Sequence, residues 1–117
     1  MGWKSVEWEG DSKDVINDFS EEARENLGND LGRVQGGLRP LDSKPMRIVG
    51  KGVFELRDAD NDFWYRVFYV EIEEMIYVLH CFKKKSDKPS PNDVMTGQQR
   101  YKALQERLKQ QKRLKKK

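Results

Sequence analysis

Cysteine and histidine occur once each, as Cys81 and His80. One thiol cannot close an internal disulfide or build a thiolate-rich metal site, which excludes a disulfide-stapled scaffold and a zinc ribbon and suits a reducing compartment. One imidazole among scattered carboxylates also lacks metal-ligand spacing, so no metal is expected. No apolar run approaches the ~18 residues of a membrane span, and Met1-Gly2-Trp3-Lys4-Ser5 lacks the apolar stretch of a signal peptide. A cytoplasmic protein is the expectation. No segment repeats, and none has linker composition. Apolar side chains are scarce, 36% against 37% charged, yet three Trp, four Tyr and five Phe argue against a disordered chain. A length of 117 residues supports one core, so residues 1–117 are expected to form a single domain, with a basic tail from about residue 109.

The net charge of +3 hides an asymmetry. Residues 1–50 carry 7 basic and 10 acidic side chains, residues 51–82 carry 3 and 7, and residues 83–117 carry 13 and 3, giving nets of −3, −4 and +10. A last third that opens with Lys83-Lys84-Lys85 and closes with Lys115-Lys116-Lys117 has the footprint of a polyanion-binding surface. The plainer alternative is a solubilising tail, above all for the terminal lysines.

Hydrophobic periodicity orders the chain. Trp3 to Trp8 alternate as a short strand. Ser12 is a candidate cap for a helix beginning near Lys13, with Val15, Ile16 and Phe19 at helical spacing. Ser20 can cap a second helix, Glu21 to Gln35, whose stripe is Ala23, Leu27, Leu31 and Val34 and whose end is Gly36-Gly37. The two helices could also be one bent helix. Residues 38–52, with two prolines and two glycines, read as an ordered surface connector. Val53 to Arg57, Phe63 to Ile72 and Met75 to Phe82 then read as three meandering strands joined by Asp58-Ala59-Asp60-Asn61-Asp62 and Glu73-Glu74. The aspartate run superficially resembles a calcium loop but lacks its glycine and late glutamate, so it reads as a turn. Pro89 and Pro91 break the chain before a closing helix with Val94, Tyr101, Leu104 and Leu108 on one face. The expected layout is α+β, with helices packed on one face of the sheet and the first strand joining it beside a later one.

Four segments carry a resemblance: Asp42-Ser43-Lys44-Pro45-Met46, Gly52-Val53-Phe54-Glu55-Leu56-Arg57, Tyr65-Arg66-Val67-Phe68-Tyr69, and Tyr77 to Ser86 with its Leu-His-Cys-Phe-Lys-Lys-Lys-Ser core. Jointly, from about Trp3 to about Lys109, they resemble the RelE/ParE toxin superfamily in its phage-derived HigB-like branch. The resemblance implies a RelE-like fold and the toxin of a bacterial type II toxin–antitoxin pair. Such a toxin cleaves messenger RNA in the ribosome without a metal or other cofactor, and its partner is a helix-turn-helix, HigA-like antitoxin. By motif match, Arg57 falls where relatives carry a functional arginine, Lys84 and Lys85 occupy the lysines of the F-x-K-K-S segment, and Arg66 matches the arginine of the Tyr-Arg strand. Lys83 occupies a variable position and adds charge without inheriting a role. Two alternatives are kept: a ParE-like toxin that binds a topoisomerase and cuts nothing, and an inactive RNA- or antitoxin-binding remnant.

Metal-free RNA cleavage has the 2′-OH attack its neighbouring phosphate, which needs a base, an acid for the leaving oxygen and cations for the phosphorane charge. Arg57 ends one strand and Lys84 follows another in the same meander, so both could converge on a phosphate, one as a bidentate fork and one as a point charge. Alternatively Arg57 pairs with Glu55, Asp58 or Asp60. His80 is the usual type of proton-transfer residue. On a period of two, however, it shares a face with Ile76, Val78 and Phe82, which suggests a hydrogen-bonded structural role and leaves Lys84 or Lys85 as base. Arg66, Lys83 and Lys88 are candidate phosphate contacts. Tyr65, with Tyr69 and Tyr77 beside it, is a candidate platform for a stacked base. His80 and Cys81 cannot pair as base and nucleophile, because adjacent strand residues point to opposite faces.

Overall fold

The computed structural model describes residues 2–88 and 90–115. Met1, Pro89, which the sequence reads as a helix breaker, and the final Lys116-Lys117 lie outside the described residues. The elements are β1 (Ser5–Trp8), α1 (Ser12–Asn17), α2 (Glu21–Gln35), β2 (Ser43–Pro45), β3 (Val53–Ala59), β4 (Trp64–Ile72), β5 (Met75–Lys84) and α3 (Pro91–Lys115). The class is α+β, as expected. The sheet is larger than the meander, with five strands in the order β1-β5-β4-β3-β2. β1 joins it parallel to β5, and β2 adds an antiparallel edge beside β3.

The helices near the N-terminus are two. Ser20 caps α2, its Oγ accepting from the Ala23 amide at 3.2 Å. Ser12 is no such cap. It is fully buried, and its hydroxyl donates to the Glu9 carbonyl at 2.7 Å and reaches the Val78 carbonyl at 3.2 Å, tying the start of α1 to β5. The turn between β4 and β5 puts Glu73 and Glu74 at φ 49° and 71°, the positive-φ pair that a two-residue hairpin requires.

The helices cover both sheet faces rather than one. α1 and α2 bury Ile16, Phe19, Ala23, Leu27, Leu31 and Val34 against Leu56, Tyr65, Val67, Tyr69, Ile76 and Val78. On the other face α3 lays Leu104, with Val94, Tyr101 and Leu108, over Val53, Phe68, Val70, Tyr77 and Leu79. The reason is visible in β4 and β5, which are apolar at odd and even positions alike, the signature of strands buried on both sides. Gly97 lets α3 approach, since a Cβ there would lie 3.0 Å from both Phe68 and Val49. No helix among the described residues is long and apolar enough to cross a membrane.

β4 and β5 lose register between Phe68 and Tyr69, where Tyr69 pairs with Val78 but Phe68 pairs with His80. One extra residue, Leu79, reverses the parity of β5 beyond it. His80 therefore does not share a face with Ile76 and Val78. It lies with Tyr77, Leu79 and Phe82 on the α3 side, its ring 5.2 Å from that of Phe82.

Candidate nucleic-acid interface

α3 covers only part of its face. At the far end of β3, β4 and β5 a second set of cross-strand rows is left, and strand register places the side chains. Lys44 opposes Glu55, Arg57 opposes Arg66, Arg66 opposes Phe82, and Trp64 lies between Ala59 and Lys84. All are on the α3 side. Register thus sets Arg57, Arg66 and Lys84 on one face, and β5 is two residues longer than expected, so Lys84 is its last residue.

Glu55 anchors the group. It is 1% exposed, with Arg66 Nε at 3.5 Å and Arg57 Nε and Lys44 Nζ both at 3.9 Å. Neither carboxylate oxygen accepts a hydrogen bond among the described residues, and Arg57 Nε is likewise without a partner. Burial pushes the Glu55 carboxyl above its usual range, against the pull of Arg66, Lys44 and Arg57. Of the alternative partners for Arg57, Glu55 lies 3.9 Å from its Nε, close enough for an ion pair but not a hydrogen bond. Arg66 is more rigidly held, with its Nη1 donating to the Tyr65 carbonyl at 2.9 Å and the Asp58 carbonyl at 3.3 Å. Asp87, on the loop after β5, accepts from Arg66 Nη2 and lies 3.8 Å from Arg57 Nη2. One exposed carboxylate thus sits where a bidentate anion would bind two guanidiniums. Lys84 donates to the Lys88 carbonyl, folding that same loop back toward the strand end. Lys88 itself is exposed.

Five sequence candidates are not part of this group. Tyr65 points to the opposite face and is 2% exposed; its hydroxyl donates to Asp60 at 2.7 Å and its ring packs 4.9 Å from Phe19, so it offers no surface to a base. Tyr69 is in the same core, where burial pushes its phenol up to about 12. Lys83 opposes Tyr65 on that side, its ammonium 4.6 Å from the Phe63 ring and facing a cleft with Asp11, Asp14 and Asp18 of the first helix region. Lys85 sends its ammonium toward the same ring, at 5.9 Å. His80 is on the correct face but engaged: Nε2 pairs with Asp93 at 2.8 Å and Nδ1 faces Arg100 at 3.4 Å. Asp93 in turn closes the α3 cap, accepting from Ser90 Oγ at 2.6 Å while its amide donates to that oxygen at 3.1 Å. The hydrogen-bonded structural reading of His80 fits this geometry. Asp60 spends its carboxylate on the amides of Asp62 and Phe63 and on Tyr65, whose hydroxyl holds it below the usual range, so the turn runs from Asp60 to Phe63, while Asp58 and Ala59, expected in it, extend β3.

Sequence reasoning passed over Glu55 as a site residue and Trp64 altogether. The signal for Glu55 was its place, a charged residue between Phe54 and Leu56 in an apolar strand. For Trp64 it was parity with Arg66, two residues on.

A mixed sheet covered by helices on both faces, with buried Arg66 and partly exposed Arg57 and Lys84 clustered beyond α3, defines a small α+β domain. A protein-family model described as phage derived protein Gp49-like (DUF891) matches residues 14–102, from α1 into α3. The chain belongs to that family, a RelE-like toxin family. No curated protein and no solved structure matches the chain.

Proposed function

We propose that this chain is the toxin of a type II toxin–antitoxin system, HigB-like, and a metal-independent endoribonuclease that cuts messenger RNA in the ribosome. The observation that carries the reading is the juxtaposition of Arg57, Arg66 and Lys84 on one stretch of sheet that α3 does not reach, around buried Glu55. In this reading the scissile phosphate displaces Asp87 and takes its place on the two guanidiniums, with Lys84 adding charge as the phosphorane forms. The 2′-oxygen bonds to phosphorus as its proton passes to solvent, the bond to the 5′-oxygen breaks, and that leaving oxygen takes a proton from the Lys84 ammonium, while Glu55, buried beneath, holds the two guanidiniums in place. Lys85 is kept as a neighbouring cation and His80 as a support of α3. The chain would act in the bacterial cytoplasm, held inactive by a helix-turn-helix antitoxin.

Mapping 5′ ends of cellular messages after brief expression tests this. The wild type is expected to produce codon-phased cuts, and the Arg57→Ala, Lys84→Ala double variant none, with antitoxin binding retained. Growth arrest without such cuts would overturn the nuclease and move the reading to a ParE-like protein target. Wild-type expression without arrest or cuts would leave an inactive remnant.

A further inference from the structure

Trp64 begins β4 with 37% of its surface exposed, although the strand it opens is otherwise largely buried. Its surroundings are specific. On β3 it opposes Ala59, whose methyl leaves that flank of the indole open, and on β5 it opposes Lys84. Two residues along the same face, the Arg66 guanidinium carbon is 5.5 Å from the indole centroid, a cation–π contact that holds the ring in place. A small cavity of about 100 Å³ is lined by Trp64 together with Arg57, Arg66, Ala59, Asp42 and Asp58. An aromatic wall and two guanidiniums therefore share one hollow. Trp64 and Arg66 are separated by about 7 Å along the strand, the scale of one extended nucleotide. The other aromatic rings at this end, Phe63 and Tyr65, belong to the α1 side, and Phe82 is buried.

We infer that Trp64 is the platform on which a nucleobase next to the scissile phosphate stacks, making it a positioning and specificity-determining residue for single-stranded RNA. This rests on the proposed nuclease function and adds to it the part of the substrate that is recognised. Stacking on a rigid ring accepts any base, so the platform fixes where the sugar and phosphate lie relative to Arg57 and Arg66 and selects against a nucleotide without a base.

The test uses ribosomes programmed with short synthetic messages that carry an abasic nucleotide at each position around the cut in turn, with cleavage followed for the wild type, Trp64→Phe and Trp64→Ala. On the unmodified message Trp64→Ala is expected to be slower by about ten- to a hundredfold, and Trp64→Phe to stay within about threefold of the wild type. At one message position, removing the base should slow the wild type by a similar factor and slow Trp64→Ala no further. Additive losses at every position, or wild-type cleavage by Trp64→Ala, would overturn the stacking role and leave the nuclease standing. A wild type that cuts no ribosome-bound message overturns the functional reading, and the stacking role with it.

Discussion

Replacing Arg66 by methionine keeps most of the buried stem and removes the guanidinium, which isolates the effect of charge. Arg66 is 4% exposed and is the cation nearest Glu55, at 3.5 Å. Without it the Glu55 carboxylate stays buried, with only Arg57 and Lys44 at 3.9 Å, both partly in water. Breaking a buried pair on one side costs about 3–5 kcal/mol, and the two remaining cations place this case near the lower end, at about 3 kcal/mol. For a domain of this size that corresponds to a drop in Tm of roughly 10–15 °C. Urea unfolding at pH 7.5 of Arg66→Met, Glu55→Gln and the double variant measures it. Because burial already favours the uncharged form of Glu55, Glu55→Gln alone should be neutral or slightly stabilising, and adding it to Arg66→Met should recover at least half of the loss. The pH dependence has a fixed sign. A carboxyl whose folded pKa lies above its unfolded value contributes stability that is present below the unfolded pKa and lost as pH rises through the folded one. Hence Arg66→Met should be least damaging in mildly acidic buffer and most damaging at neutral pH. A loss below about 1 kcal/mol, or a double variant no more stable than Arg66→Met, would refute the claim that Glu55 and Arg66 are coupled.

Asp87→Ala should tighten binding of single-stranded RNA several-fold and steepen its dependence on salt, because Arg57 and Arg66 lose a competing carboxylate; fluorescence anisotropy at several salt concentrations measures it, and unchanged affinity would show that Asp87 does not occupy the phosphate position. Its effect on stability should stay within about 1 kcal/mol, since Asp87 is half exposed. Cys81 is buried, and burial pushes its thiol far above the ordinary range, so a thiol reagent at pH 8 should label the chain only after denaturant is added. Stoichiometric labelling of the folded chain within minutes would contradict that burial.

Which parts of this arrangement could be read beforehand follows from the range of the interactions. The strands of the meander and the two longer helices are specified by local periodicity, and all appear where the pattern put them, within two residues at β3, β4 and β5. β2 is not local. Ser43-Lys44-Pro45 forms an edge because Asp30, in α2, accepts the amides of Leu41 and Asp42 at 2.9 and 3.3 Å and pins the connector against β3. Pro45 is tolerated there as it would not be in a central strand. The second face of the sheet was concealed differently: a run such as Val67-Phe68-Tyr69-Val70 reads as a strand whether one side or both are covered, and only α3 decides.

The bulge at Leu79 carries the larger consequence for the site. Counting by two from Ile76 places His80 toward α1 and α2; the inserted residue turns it toward α3, where Asp93 and Arg100 engage both ring nitrogens. The same shift sets Phe82 and Lys84 on the face of Arg66 and Trp64, and leaves Lys83 on the other with the acidic cleft of α1. Of three consecutive lysines that look equivalent in sequence, the fold therefore assigns one to the arginine cluster. Were Leu79 kept and paired regularly opposite Phe68, Lys83 would oppose Trp64 and Lys84 would lie on the α1 side. Deleting Leu79 instead removes the extra residue and keeps His80, Phe82 and Lys84 opposite Phe68, Arg66 and Trp64, so that deletion should straighten the strand and leave Lys84 with the arginines.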